Sequence, residues 1–300
     1  MESKPSSADP TGVPTLAGAR PPPADPYGRS RREVELRKLI PNMMTGGAFC
    51  CGMASILFAL KYNGKATAGG LPFSPIPGWE PERHLATAIG LIGLAFLLDG
   101  FDGRMARLLK VTSRFGEKFD SIADFVSFGV APAFILFKWK LFEGDELGYG
   151  IAVLYLLCAA IRLARFTVQA RMKKIGAPVS RFFTGLPAPA AAFVVLIPVM
   201  LWLSSTLRNH ATLDWGLPGV FWAVALYALL IAGLMVSTIP MASVKHVKIN
   251  RRLLPWLMIA VGLVAVCMIK DTWLTLSVLA ALYLLSLPLS VHRAKSRPAA

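Results

Sequence analysis

Charged residues are scarce. They make up 16% of the 300 residues, against roughly 25% in an ordinary soluble domain, so the chain lacks the polar surface such a domain needs. Cysteine is scarce too. Cys50, Cys51, Cys158 and Cys267 are all there are, and no C-x-x-C occurs, which excludes a disulfide scaffold and a thiolate metal site. No apolar stretch follows the first residues closely enough to make a secretory leader. No internal repeat is visible, so an inverted-repeat transporter has no support. Acidic residues number 17 against 32 basic ones, a net charge of +15. In a soluble protein that excess suggests nucleic acid. Here 55% hydrophobic residues and a mean hydropathy of +0.55 point instead to positive loops facing anionic lipid, and no nucleic-acid partner is expected.

What the chain does have is long apolar runs. Eight candidate spans lie at about 42–60, 84–108, 118–138, 149–169, 186–204, 218–238, 253–269 and 272–290, each near the ~20 residues that cross a hydrocarbon core as helix. The expected fold is all-α, a polytopic transmembrane helical bundle of about eight spans. Residues 1–38 are rich in proline and basic residues and predict a disordered tail. Within it, 29–38 has the composition of a short helix on the membrane surface. With the N-terminus in the cytoplasm, the tails and the loops on their side carry 25 Lys and Arg, and the other side carries seven. That asymmetry predicts a multi-pass protein of the cytoplasmic (inner) membrane with both termini cytoplasmic. Its expected surroundings are membrane lipids, met by basic residues such as Arg171, Lys173 and Lys174.

One junction concentrates chemistry. It reads Asp99-Gly-Phe-Asp102-Gly103-Arg-Met-Ala106-Arg107, then eight residues, then Gly116-Glu-Lys-Phe-Asp120-Ser-Ile-Ala-Asp124. Asp99, Asp102 and Ala106 share one face of a helix, and Gly116, Asp120 and Asp124 share one face of the next. The short connection makes the helices antiparallel neighbours. Four carboxylates meeting at a membrane edge repel one another, and divalent metal resolves the repulsion. An all-oxygen set suits Mg²⁺ or Mn²⁺, and four carboxylates suit two ions. Gly103, Ala106 and Gly116 leave room for a bulky ligand, and Arg107 offers a cation suited to phosphate. Together they favour a pyrophosphate substrate.

The spacing D-x2-D-G-x2-A-R-x8-G-x3-D-x3-D matches the signature of the CDP-alcohol phosphotransferase family at every fixed position. Eight residues so placed arise by chance less than about once in a million windows. The flanks extend the resemblance: Pro41-Asn42-Met-Met-Thr45, Asp124-Phe-Val-Ser-Phe-Gly129-Val-Ala-Pro132, Arg162-Leu-Ala-Arg165-Phe and Gly185-Leu-Pro187-Ala-Pro189 are similar to the branch that uses L-serine. Ser121 and Phe125 stand where relatives using glycerol phosphate or inositol phosphate have other residues. The resemblance implies a core over 39–245 with two additional spans and a basic tail over 246–300. It implies transfer of the phosphatidyl group of CDP-diacylglycerol to the hydroxyl of L-serine, with CMP leaving. Asp99, Asp102, Asp120 and Asp124 would be metal ligands, with Asp124 also the general base. Gly103, Ala106, Arg107 and Gly116 would form the CDP site. Asn42 and Thr45 are either helix caps or nucleotide contacts. Arg162 and Arg165 are either membrane anchors or contacts to a substrate phosphate or the serine carboxylate. A homodimer is expected by resemblance. The rivals are another alcohol acceptor in the same family and, from a different class, a cation- or proton-coupled transporter.

Overall fold

The computed structural model describes residues 31–62, 79–109, 114–174, 183–207, 215–237, 240–241 and 254–295. Residues 1–30 of the expected tail lie outside the described residues. The first helix, α1 (Arg31–Lys61), already includes the 31–38 segment, so the basic stretch there leads directly into the first span. The bundle continues with α2 (Pro81–Leu108), α3 (Arg114–Phe125), a π-helical turn (Val126–Val130), α4 (Ala131–Trp139), a 3-10 turn (Leu141–Gly144) and α5 (Asp145–Lys174). After a two-residue strand β1 (Phe183–Thr184) come α6 (Ala188–Val195), α7 (Ile197–Leu207), α8 (Pro218–Val236), β2 (Pro240–Met241), α9 (Leu254–Lys270) and α10 (Thr272–Lys295). Helix is the only open architecture that satisfies its own backbone in hydrocarbon, and the apolar runs comply.

Five stretches are long and apolar enough to cross a membrane: Leu39–Lys61, Pro81–Met105, Phe115–Trp139, Leu141–Gln169 and Gly219–Val236. The expected span at 186–204 is the pair α6 and α7, bent by 44°. The bend follows from Pro198, which has no N–H for the carbonyl of Val194 and whose ring crowds it. The Tyr227 hydroxyl donates to that carbonyl instead, at 2.5 Å. The last two expected spans are helices, but their described apolar parts, Pro255–Lys270 and Thr272–Leu287, are shorter than the other five. Among the described residues span-length helices therefore number five, or six with the bent pair, and the expected eight are not all reached. The protein is a multi-pass membrane protein.

The core is one cluster. Ile89 and Ile92 of α2, Phe128 of the π turn, Ile135 of α4, Leu196, Met200 of α7 and Ile231 of α8 are almost wholly inaccessible. α1 lies along α2 and also touches α3, the π turn and α4. Outside this cluster α9 is exposed along most of its length, including Trp256, Met258, Val261 and Leu263. Such a surface in water would aggregate, and in lipid it is solvated.

Near the carboxylate end of the bundle the chain crosses itself. β1 and β2 pair antiparallel, Phe183 opposite Met241 and Thr184 opposite Pro240. Gly185 follows with φ +80°, and a Cβ there would stand 2.7 Å from the Met235 carbonyl oxygen and 2.9 Å from that of Ser237. Gly185→Ala is expected to destabilise by about 1–3 kcal/mol and lower the melting temperature in detergent. Gly233→Ala, where a Cβ meets nothing within 4 Å, is expected to leave it unchanged or raise it.

Candidate active site

α2 and α3 bring the acidic residues together. Helical spacing turns Asp99 and Asp102 to one side of α2, and Asp120 and Asp124 to the facing side of α3. One carboxylate oxygen from each of Asp99, Asp120 and Asp124 lies within 4.8 Å of the others, and all three residues are half-buried. The Asp99 and Asp124 side chains are hydrogen-bonded to each other. Carboxylates this close repel one another unless a proton or a cation stands between them. Three hard oxygen donors converging in partly buried surroundings fit a divalent ion of the Mg²⁺ or Mn²⁺ kind, and no sulfur or imidazole ligand belongs to the cluster.

Asp102 stands apart from that trio. It is buried, and the Thr45 hydroxyl of α1 donates to its Oδ2 at 2.6 Å. The backbone N–H of Gly103 is a second donor. Asp102 remains close enough to Asp120 for the two charges to repel. Thr45 is itself buried, with the Pro41 carbonyl 3.1 Å from its hydroxyl. The sequence singled out Thr45 as a cap or nucleotide contact; the structure shows it orienting an acidic residue. Asn42, one turn earlier, is half-buried.

The small residues sit where the motif needs them. Gly103 is exposed at the end of α2, and a Cβ there would meet nothing within 4 Å. Gly116 is half-buried on α3. The side chains of Ala106 and Arg107 lie outside the described residues. Arg162 and Arg165 hold backbone carbonyls of the crossing segments. The buried Arg162 Nε donates to the Leu186 carbonyl, and the Arg162 guanidinium lies 5.9 Å from the centre of the Phe166 ring. Arg165 is exposed and donates to the Val236 carbonyl at 2.6 Å.

Sequence reasoning passed over Ser127 and Gly52. The Ser127 hydroxyl donates to the Ala48 carbonyl of α1 at 3.1 Å, one turn beyond Asp124. Pro132, in the flanking motif, was the available signal, because a proline inside a span must disturb the turn before it.

Hydrogen-bond partners around a metal site are each worth about 10- to 100-fold in metal affinity or activity. Thr45→Val is therefore expected to weaken Mn²⁺ binding in a direct titration of the purified protein, whereas Thr45→Ser, which keeps the hydroxyl, is expected to bind as the parent does.

Comparison with known proteins agrees with this geometry. The family model described as CDP-alcohol phosphatidyltransferase matches residues 38–232, and a second, CDP-alcohol phosphatidyltransferase 2, matches residues 252–288. The chain is 32% identical over 271 residues to the CDP-diacylglycerol–serine O-phosphatidyltransferase of Mycobacterium leprae, covering 88% of this chain and 78% of the relative. It is 31% identical over 264 residues to the protein of that name from Mycobacterium tuberculosis, covering 88% and 82%. With the Helicobacter pylori protein of that name it shares 32% over 247 residues, covering 82% and 88%. The first match contains all four carboxylates and every helix that positions them, so the chain belongs to the CDP-alcohol phosphatidyltransferase family.

Proposed function

We propose that the protein is a phosphatidylserine synthase, transferring the phosphatidyl group of CDP-diacylglycerol to the hydroxyl of L-serine. The observation that carries this reading is the meeting of Asp99, Asp120 and Asp124 at the end of a membrane bundle. The names of its relatives support the choice of serine. Membership in the family brings a divalent metal requirement. The ions proposed are Mg²⁺ or Mn²⁺, two of them, held by Asp99, Asp102, Asp120 and Asp124. When bound, they supply charge neutralisation on the pyrophosphate.

The remaining work falls to the chain. The serine hydroxyl oxygen forms a bond to the phosphorus that carries diacylglycerol, and the bond from that phosphorus to the CMP oxygen breaks. Asp124 takes the hydroxyl proton as general base. A carboxylate is a weak base toward an alcohol, so holding the two substrates in line contributes much of the rate. Gly103, Ala106, Arg107 and Gly116 form the CDP pocket, with Asn42 at its edge. Thr45 keeps Asp102 turned toward the cluster. Arg165, exposed on the last turns of α5, is better placed than the buried Arg162 to meet the serine carboxylate. The protein would work in the cytoplasmic membrane with both termini inside, as a homodimer, its core at 39–245 followed by a two-helix extension.

The test is CMP release by purified protein given CDP-diacylglycerol and Mn²⁺ or Mg²⁺. Release that depends on L-serine and yields phosphatidylserine is expected. Release with another alcohol alone would overturn the acceptor, and none with any alcohol would overturn the reaction. Chelation of divalent ions is expected to stop turnover, and readdition to restore it. Asp124→Asn is expected to lower kcat by about 10²- to 10⁴-fold while CDP still binds; parental turnover would remove Asp124 as base.

A further inference from the structure

The third span is not a continuous α-helix. Directly after Asp124 and Phe125 it opens into the π turn Val126–Val130, closed by the Ala131 N–H donating to the Val126 carbonyl five residues back. The cause is Pro132. In a regular helix its ring would strike the Phe128 carbonyl, which would also lose its donor. One extra residue in the turn rotates everything beyond it by about 100°. The chain can thus present Asp120 and Asp124 to α2 before the turn while burying Phe128, Ala131 and Ile135 after it.

The wide turn rests on α1 at one place. Opposite Ser127 is Gly52, where an added Cβ would stand 2.5 Å from the Ser127 Oγ, 3.0 Å from its Cα and 3.1 Å from its N. No side chain fits between the two backbones. Ser127, almost wholly buried, is pinned by its hydrogen bond to the Ala48 carbonyl. α1 makes comparable bonds to α2 at two other heights, from Thr45 to Asp102 at 2.6 Å and from Ser55 to the Ala88 carbonyl at 2.7 Å. α1 is therefore the common reference for both acidic helices, and the Gly52–Ser127 seat fixes the height of α3.

We propose that the π turn, seated on Gly52 and pinned by Ser127, is the device that sets Asp124 against Asp99, so that Gly52 and Ser127 are positioning residues of the transfer reaction. This rests on the assignment of Asp124 as base. A methyl at Gly52 forces the Ser127 backbone away by a few tenths of an ångström. Asp124 lies less than one turn from Ser127 on the same stiff element, and misplacement near 1 Å costs about a hundredfold in rate.

The test uses the full-length protein in lipid nanodiscs, with CMP release for kcat and KM and electron paramagnetic resonance for Mn²⁺ binding. Gly52→Ala is expected to lower kcat about tenfold, to change Mn²⁺ affinity, and to leave the KM for CDP-diacylglycerol near that of the parent. A kcat for Gly52→Ala within about twofold of the parent, or a loss confined to KM, would overturn the proposal. Should Gly52→Ala fail to fold, Ser127→Ala decides. It is expected to lower kcat and shift Mn²⁺ binding, and parental values of both would overturn the proposal. Asp124→Asn measured alongside separates the two ideas. If it retains turnover, the base assignment fails. If it loses turnover while both positioning variants keep theirs, only the positioning proposal fails.

Discussion

Asp99 and Asp124 meet from two different helices, with Asp120 in the same cluster and Asp102 beside it. Like charges so close, and partly withdrawn from water, repel strongly. The fold around them is arranged to hold that unfavourable group together. α1 touches both acidic helices, Thr45 takes one oxygen of Asp102, and the π turn keeps α3 at its height. At the opposite end, aromatic packing and a buried Lys140 paired with Glu143 hold the bundle. There Trp139 meets Trp202 and Trp215 with ring centres 5.9 and 5.7 Å apart, and the buried Lys140 donates to the Trp215 carbonyl.

Much of this was legible in the sequence, because hydrophobic runs and helical spacing are local properties. The runs located every span-length helix among the described residues, and the i, i+4, i+8 spacing put Gly116, Asp120 and Asp124 on one face. Among the described residues the two last expected spans, α9 and α10, fall short in apolar length, and the bend between α6 and α7 is betrayed only by Pro198. Thr45 was legible as important but not as the partner of Asp102, since the two are 57 residues apart and no local rule pairs them. Gly52 gave no signal, because a glycine in an apolar helix looks the same whether it faces lipid or a backbone.

The arginines show another boundary of sequence reading. Arg162 and Arg165 announce positive charge next to a phosphate-handling site, and their type suits substrate. The structure also gives them carbonyls to hold, at Leu186 and Val236. Those carbonyls are exposed for bonding because the chain turns at Gly185 with positive φ and crosses itself in the β1–β2 pair. The two roles are compatible, since a guanidinium carries five donors.

The C-terminal hairpin carries a consequence for the membrane itself. α9 has 17 residues, a length of about 25 Å, and most of its apolar surface faces outward. A hydrocarbon core is roughly 30 Å thick. The turn at its end is fixed to α7, because Asp271 accepts a hydrogen bond from Ser204 at 2.6 Å and caps α10 through the Leu274 N–H. A helix anchored there cannot slide to split the difference. A helix this short is met by local thinning of the bilayer, by snorkelling of flanking side chains or by association with other helices.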